Sequence, residues 1–348
     1  VRELVEFVLR RGDLRTGVAF TSPKRALQGT LGHQKLQSSR PENYQAEVAL
    51  TLETVRPNFK LTLRGRIDGM KKTPEEIFLE EIKTVTGDWS QKPSELHWAQ
   101  LQIYGGIWNR LHPSMPLHLR LTYFHLETET EHCFDKKQDS PTAKSFLNEV
   151  LDVYLQWLDQ HVSRSIERDA SIQTLAFPFS ERRSGQDSMM NSVEQLHRKG
   201  EAMMVEAPTG IGKTMASLFP SIKALTGDEI RQLMIVLART PGQTVFQEAL
   251  RLLQQKGARI KTLALLARDK VCRNGNTPCD PANCAKRLGH FDRLQDARMA
   301  AIHDSPNLLD TSALRKLGKR FSLCPHALAV HLVPWVDIIM GDYNYAFD

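Results

Sequence analysis

The chain has 348 residues, of which 41% are hydrophobic and 25% charged, and its formal net charge is +6. These fractions are typical of an ordinary globular protein and exclude a disordered, collagen-like or coiled-coil chain. At roughly 150 residues per domain the length predicts about two domains. No apolar run reaches the ~20 residues that a membrane-spanning helix needs, and Arg2, Glu3 and Glu6 interrupt any signal segment at the start.

The first half predicts a mixed α/β domain over residues 1–165. Strands are expected where apolar and β-branched residues alternate with polar ones, and helices where apolar residues recur at helical spacing. In chain order the prediction is a helix at 24–38, strands at 46–54, 59–67 and 76–85, a helix at 93–111, a strand at 117–126 and a helix at 144–161. A polar and charged stretch then predicts a linker at 166–182.

The second half, residues 183–348, alternates helices with buried strands, which is typical of a parallel sheet with crossover helices. The predicted elements are a helix at 186–198, a strand at 201–206, a helix at 212–225, strands at 233–238 and 336–340, and an insertion at 267–333 between those two strands. From Lys256 to Arg320 the chain has 14 Lys and Arg against 6 Asp and no Glu. Such a segment either binds a polyanion or is a solvated basic face, and charge alone favours neither.

Residues 205–214 read Val-Glu-Ala-Pro-Thr-Gly-Ile-Gly-Lys-Thr, between a predicted strand and a predicted helix. This is the P-loop pattern with alanine in place of the first glycine. Backbone N–H groups of such a loop bind phosphate oxygens, the lysine binds the β- and γ-phosphates, and the threonine holds Mg²⁺. The predicted nucleotide-binding residues are Ala207, Pro208, Thr209, Gly210, Ile211, Gly212, Lys213 and Thr214.

Three short elements in this order resemble the superfamily 2 helicases. Glu206 followed by Ala-Pro-Thr-Gly-x-Gly-Lys-Thr resembles motif I of that group. Arg183-Ser-Gly-Gln186 is similar to its adenine-reading element, and Ala238-Arg239-Thr240 resembles motif Ia, which contacts the DNA backbone. The resemblance implies that the nucleotide is ATP and that Arg183 and Gln186 contact its adenine.

Four of the five cysteines lie in the basic insertion, at Cys272, Cys279, Cys284 and Cys324. In a reducing compartment, clustered thiols suggest a metal centre rather than disulfides. Zinc usually takes paired C-x₂₋₄-C knuckles, and no such pair recurs here, so the spacing favours a [4Fe–4S] cluster while leaving zinc open. Cys133 is predicted to be a spare thiol that binds no metal.

The contexts of the first and last of these cysteines resemble those of the XPD/DinG helicases. Leu266-Ala-Arg-Asp-Lys-Val-Cys272 and Leu323-Cys-Pro-His326 carry this resemblance, and Asp342-Tyr-Asn-Tyr345 looks like the segment before motif II in that family. In the family an iron–sulfur domain lies between motifs Ia and II. The resemblance implies a helical iron–sulfur insertion and 5′→3′ DNA unwinding. Because motif II and the second motor lobe do not follow, we expect a fragment that does not unwind DNA alone.

Two adjacent predicted strands end in chemically reactive side chains. Asp68 lies at the end of the first, and Glu81-Ile-Lys83 lies near the end of the second. Two carboxylates on one side of a sheet bind Mg²⁺ or Mn²⁺, and a lysine beside them can orient a water or stabilise a developing negative charge. Taken alone, this pattern is also common on protein surfaces.

The order His33, Gly-x-x-Asp68, Glu81-x-Lys83-Thr and Gln100-x-x-x-Tyr104 resembles the RecB-type PD-(D/E)XK nucleases across residues 30–110. The resemblance implies that His33, Asp68 and Glu81 are metal ligands, that Lys83 is catalytic, and that Gln100 and Tyr104 contact the substrate. His97 and His161 are assigned no role.

The predicted fold is therefore α/β. A PD-(D/E)XK nuclease-like mixed sheet with flanking helices precedes a partial RecA-like P-loop parallel-sheet domain with a helical iron–sulfur insertion. The predicted function is an ATP-dependent DNA helicase fused to a metal-dependent DNA nuclease, acting on single-stranded or forked DNA in replication or repair, with no membrane partner. We expect a cytoplasmic protein, associated with the nucleoid if the source is bacterial. The alternative is a non-catalytic DNA-binding module with a degenerate nuclease fold and a structural metal cluster.

Overall fold

A computed structural model describes residues 1–15, 23–227, 230–238, 240–272 and 279–347. The described residues form two compact units, one from residues 1–10 and 17–162 and the other from residues 11–16 and 163–348. Among the described helices, none combines the length and apolarity that a bilayer crossing requires.

The first unit is built on a mixed five-stranded sheet in the order β1-β2-β3-β4-β5. Strands β3 and β4 are parallel, and the other neighbours are antiparallel. The elements are α1 (Arg2–Leu9), α2 (Pro23–Ser38), β1 (Gln45–Arg56), β2 (Phe59–Lys72), β3 (Ile77–Val85), α3 (Glu95–Leu111), β4 (Leu117–His125), β5 (Thr130–Gln138) and α4 (Ser140–Gln173).

Two faces of this sheet are covered by apolar side chains. Ile77 and Leu79 of β3 pack in the main core with Ile103 and Ile107 of α3. On the opposite face, Ile82 packs with side chains of α2 and β4. Because successive residues of a strand point to opposite faces, β3 is buried on both sides and reads as a nearly continuous apolar run.

Strands β2 and β3 diverge at the point where the predicted carboxylates lie. Their pairing runs only from Lys72↔Ile77 to Gly69↔Glu80, whereas the pairing of β2 with β1 runs from Phe59 to Met70. Asp68 and Glu81 therefore lie where the two strands separate, and we call this point the strand fork. The backbone N–H of Ile82, which is free of the β2 ladder, instead donates to Oδ2 of Asp68 at 2.6 Å.

The second unit contains a four-stranded parallel sheet in the order β6-β9-β7-β8. Its core joins Met215, Phe219 and Ile222 of one helix to Ile338 and Met340 of the central strand. The elements that follow α4 are α5 (Gln186–Lys199), α6 (Lys213–Ala224), β6 (Leu233–Leu237), α7 (Thr240–Gln255), β7 (Thr262–Ala264), α8 (Arg268–Val271), α9 (His290–Met299), β8 (Leu308–Leu309), α10 (Thr311–Arg320), α11 (Pro325–Leu332), β9 (Ile338–Asp342) and α12 (Asn344–Phe347).

A buried ionic group fixes the end of α4 to this sheet. The Asp337 carboxylate, before β9, accepts hydrogen bonds from Arg164 at 2.7 and 2.9 Å and from Arg168 at 2.9 Å. The backbone N–H of Lys261 also donates to it, at 2.7 Å. These guanidinium groups hold the pKa of the Asp337 carboxyl below its usual range, although burial acts in the opposite direction.

The α/β fold class with one mixed and one parallel sheet is confirmed, and most predicted elements lie within a few residues of their expected bounds. The strand predicted at 201–206 is wrong. These residues are exposed and non-helical, with Met204 fully exposed, and no described strand pairs with them. A strand needs a hydrogen-bonding neighbour, and its apolar composition alone does not supply one.

The predicted linker at 166–182 begins inside α4, which continues to Gln173. The segment 166–173 is therefore helical, and the second unit begins at Ser163. Arg239, the central residue of the segment resembling motif Ia, lies outside the described residues.

Candidate functional site

The six residues that resemble the nuclease motifs meet around the strand fork. His33, on α2, has its Nδ1 3.7 Å from Oδ1 of Asp68. Asp68 is linked to β3 through the N–H of Ile82. The Glu81 carboxylate, on the next residue back along β3, interacts electrostatically with both Asp68 and His33. The cause is local. Because β2 and β3 no longer pair at the fork, the Ile82 N–H is available to the Asp68 carboxylate instead of to the β2 backbone.

Glu81 is the most buried of these carboxylates, with 2% of its surface exposed. Its Oε1 accepts a hydrogen bond from Nε2 of Gln100 at 2.7 Å and is paired with the amine of Lys83. Its Oε2 is buried and has no hydrogen-bond partner among the residues that the structure describes. Burial raises the pKa of Glu81 to about 7, while Lys83 acts to lower it. A buried carboxylate oxygen without a donor fits a site that binds a cation.

Glu47 belongs to the same group, although the sequence analysis did not select it. Ligand atoms of His33, Glu47 and Asp68 all lie within 4.8 Å of one another. Gln37 supports this arrangement, because its Nε2 donates to Oε1 of Glu47 at 2.8 Å and to the Asp68 carbonyl at 2.9 Å. The strand register provides a signal that could have identified Glu47. Since Ala46 pairs with Gly69 and Val48 with Ile67, Glu47 lies opposite Asp68 on an antiparallel neighbour.

Tyr104 closes the other side of the fork. It lies one helical turn after Gln100 on α3, and Nε2 of Gln100 is 3.4 Å from its hydroxyl. Burial, followed by the Glu81 charge, raises the pKa of Tyr104 to about 12. Gly65 of β2 permits this approach, because a Cβ there would overlap the Tyr104 ring. The helix therefore presents an amide and a neutral phenol beside the carboxylates.

Together these side chains offer a histidine nitrogen and several carboxylate oxygens, a donor set that suits Mg²⁺ or Mn²⁺. His33, Glu47, Asp68 and Glu81 are the residues that could hold the ion. Lys83 lies beside them and carries the positive charge that the sequence predicted at this position.

The P-loop lies before α6 in the second unit. Gly210 and Gly212 have φ values of +93° and +78°, which side chains with a Cβ rarely adopt. The amine of Lys213 donates to the carbonyls of Ala207 and Pro208 at 2.9 and 2.8 Å. The loop thus curls over the lysine and leads directly into the helix N-terminus, where phosphate is favoured.

Arg183 and Gln186, which the sequence analysis predicts to contact adenine, contact the carbonyls of this loop in the structure. The Arg183 guanidinium donates to the Gly210 carbonyl, and Nε2 of Gln186 donates to the Gly212 carbonyl at 3.4 Å. Both side chains also line a cavity of about 690 Å³ that includes Phe179 and Thr214. A cavity of this volume is large enough for a nucleoside triphosphate.

Cys272, Cys279, Cys284 and Cys324 all lie in the second unit. Burial raises the pKa of the Cys324 thiol, and the electrostatic effects of Cys279 and Cys272 raise it further. Cys133 lies on β5 of the first unit and is exposed.

Within the described part of the chain, no three cysteine sulfurs lie within 4.8 Å of one another. The candidate ligands are four cysteine side chains, a donor set that either zinc or an iron–sulfur cluster accepts.

The basic insertion forms a positively charged cavity of about 720 Å³ in the second unit. Lys286, Arg315, Lys316 and Lys319 line it, together with the single acidic residue Asp310. Four of the 14 lysines and arginines of residues 256–320 therefore line one concave surface.

Comparisons with known proteins address the second half of the chain. Residues 183–275 match the DEAD/DEAH box helicase family. The Regulator of telomere elongation helicase 1 homolog of Drosophila erecta is 26% identical over 224 residues, which are 49% of this chain and 22% of that protein. The mouse Regulator of telomere elongation helicase 1 is 24% identical over 225 residues, covering 50% of this chain and 18% of that protein.

The chain spans about a fifth of the length of the curated relatives that it matches. A solved crystal structure aligns with 38% of this chain at 22% identity and a TM-score of 0.27, and at that score it carries no argument. The match to the DEAD/DEAH box helicase family over residues 183–275 includes the P-loop and the Arg183–Gln186 segment.

Proposed function

We propose that this chain is the part of an ATP-dependent DNA helicase of the XPD/DinG type that carries the P-loop, fused to a metal-dependent nuclease. The observation that carries the helicase half is the P-loop itself. It has left-handed glycines at positions 210 and 212, with Arg183 and Gln186 bound to its carbonyls. ATP would occupy the adjoining cavity, with its phosphates at the start of α6 and Mg²⁺ beside Thr214. The polarity inferred from the resemblance is 5′→3′, on single-stranded or forked DNA in replication or repair.

The test of this half is binding of a fluorescent ATP analogue to the full chain. Lys213→Ala should abolish this binding. Lys223→Ala should retain it, because Lys223 lies at the other end of the same helix. Equal affinity of both variants and the wild type would contradict the assignment.

The nuclease half is supported by the arrangement at the strand fork. Mg²⁺ or Mn²⁺ bound by His33, Glu47, Asp68 and Glu81 would supply Lewis-acid stabilisation of the phosphodiester. Lys83, paired with Glu81, would orient the attacking water or stabilise the negative charge that develops on phosphorus. Gln100 holds Glu81 in place. Burial raises the pKa of Tyr104 to about 12. Its hydroxyl is therefore neutral at physiological pH and can donate a hydrogen bond to the substrate.

Incubation of the full chain with labelled single-stranded DNA and Mn²⁺ tests this assignment. Wild type should cleave the DNA, and Lys83→Ala should not. Lys60→Ala serves as the matched control, because Lys60 forms an exposed pair with Glu53 on the same sheet. If the wild-type chain leaves the DNA intact, the alternative function gains support, namely a DNA-binding module with a degenerate nuclease fold.

The metal centre of the insertion is proposed to be a [4Fe–4S] cluster bound by Cys272, Cys279, Cys284 and Cys324. The electrostatic influence of Cys279 and Cys272 on Cys324 and the resemblance of the cysteine contexts to those of the XPD/DinG helicases support it. Protein prepared without oxygen should be brown and absorb at about 400 nm. Cys324→Ser should reduce that absorbance and Cys133→Ser should not. A colourless protein that contains zinc would contradict this proposal.

A further inference from the structure

A short segment near the start of the chain is built into the cysteine-bearing insertion. The Gly12 N–H donates to Oδ1 of Asp292 at 2.9 Å, and the Phe291 N–H donates to the Gly12 carbonyl at 3.0 Å. The Gly289 N–H donates to Oδ1 of Asp13 at 2.8 Å. These bonds join residues more than 270 positions apart, and they cap the N-terminal turn of α9. We call residues 12–14 the strap.

Arg287 connects the strap to two of the cysteines. Its carbonyl accepts from the Leu14 N–H at 2.9 Å, and its Nε donates to the Leu14 carbonyl at 2.7 Å. Its Nη1 donates to Sγ of Cys279 at 3.0 Å, and its own N–H donates to the Cys284 carbonyl at 2.9 Å. Arg287 is 6% exposed, so its charged group depends on these partners.

A local turn brings the two cysteines within reach of this arginine. Oδ1 of Asp280 accepts from the Asn283 N–H at 2.9 Å, and the Asp280 carbonyl accepts from the Cys284 N–H at 3.0 Å. The turn fixes Cys284 relative to Asp280, the residue that follows Cys279. Arg287 and the strap attach this turn to the start of α9.

We propose that the strap positions Cys279 and Cys284 through Arg287, so that retention of the metal centre depends on the docking of residues 12–14. This inference rests on the proposed iron–sulfur centre. A buried guanidinium that donates to a cysteine sulfur fixes the position of that sulfur, as the outer partners of metal ligands commonly do. Partners of metal ligands typically change metal affinity by about 10- to 100-fold when they are removed. Because coupling is reciprocal, the loaded centre should also stabilise the docked strap.

The first test measures loss of the absorbance at about 400 nm when the full-length chain is challenged with a chelator. Arg287→Met and Asp13→Ala should lose the centre about tenfold faster than wild type. Asp296→Asn should behave as wild type, because Asp296 is exposed on the same helix and contacts no strap residue. If Arg287→Met does not fold, Asp13→Ala still decides the question, since it removes the carboxylate that accepts from the Gly289 N–H and leaves Arg287 in place.

The second test measures amide hydrogen exchange at Gly12 and Leu14 in loaded and chelator-stripped protein. We expect faster exchange after stripping, by about tenfold or more, with no change at an amide of β1. If the wild type is brown and both variants lose the absorbance at the wild-type rate, the proposed role of the strap is overturned and the proposed cluster is not. A colourless wild type would overturn both.

Discussion

A double-mutant cycle between Gly69 and Tyr44 tests how the strand fork is built. The pairing of β2 with β3 ends at Gly69, which lies opposite Glu80. Gly69 directly follows Asp68 in the chain. A Cβ on Gly69 would overlap the Tyr44 hydroxyl and the adjoining ring atoms. That hydroxyl donates to Oε2 of Glu80 at 2.8 Å, and Glu80 is fully buried. Gly69→Ala must therefore expel Tyr44 from its place.

The magnitude follows from what is lost. A hydrogen bond to a charged group contributes about 1.5–3 kcal/mol, and overpacking costs about 1–3 kcal/mol, so Gly69→Ala should destabilise the first unit by about 3–5 kcal/mol. Tyr44→Ala alone should cost about 2–4 kcal/mol, because Arg40 still donates to Glu80, at 2.7 Å. In the Tyr44→Ala background, Gly69→Ala should add less than about 1 kcal/mol, because the obstructing side chain is gone.

Urea unfolding followed by tryptophan fluorescence is a suitable assay, because four of the five tryptophans lie in the first unit and only Trp335 lies in the second. The expected coupling free energy is at least about 2 kcal/mol. If the two substitutions prove additive within about 0.5 kcal/mol, the overlap with Tyr44 is not what requires glycine at position 69, and the reasoning fails.

Three further predictions concern the remaining groups. Asp337→Ala should destabilise the second unit by about 3–5 kcal/mol, because it removes the carboxylate that pairs with Arg164 and Arg168 and leaves Asp169 as the carboxylate partner of Arg168. Because the folded pKa of Asp337 is lowered, its contribution is present above the ordinary carboxyl pKa and is lost as the pH falls through the folded value. Urea midpoints followed by circular dichroism at pH 7 and pH 3 will measure this loss. Gly212→Ala should weaken binding of a fluorescent ATP analogue about tenfold or more, since φ is +78° and the new Cβ would lie 2.5 Å from Nε2 of Gln186. Gly257 is the control, because its φ is +106° and the space around it is open. Gly257→Ala should leave the affinity for the analogue unchanged. Glu47→Gln should lower Mn²⁺ affinity about tenfold in a calorimetric titration, whereas Glu53→Gln on the same strand should not, and equal affinities would remove Glu47 from the site.

Periodicity in the sequence predicted most elements of both units, because a strand or helix that buries one face repeats its apolar residues every two or every 3.6 positions. It failed for 201–206, where Met203 and Met204 satisfy the pattern of a buried strand but no described strand pairs with them. Pairing is a property of the sheet, and a single segment does not encode it. The edge strand β5, Thr130–Gln138, went unpredicted for the opposite reason, since its exposed residues are mostly polar.

The candidate sites divide in the same way. Three features could be predicted from the sequence, because each depends on residue type and short spacing. They are the P-loop, the run of four cysteines, and the order of Asp68, Glu81, Lys83, Gln100 and Tyr104. The addition of Glu47 depends on the register between β1 and β2. The docking of residues 12–14 against Arg287 depends on a contact across more than 270 positions. Local chemistry thus determined which groups this protein carries, and only the tertiary structure decided which of them meet, because long-range contacts are set by strand register and chain topology rather than by neighbouring residues.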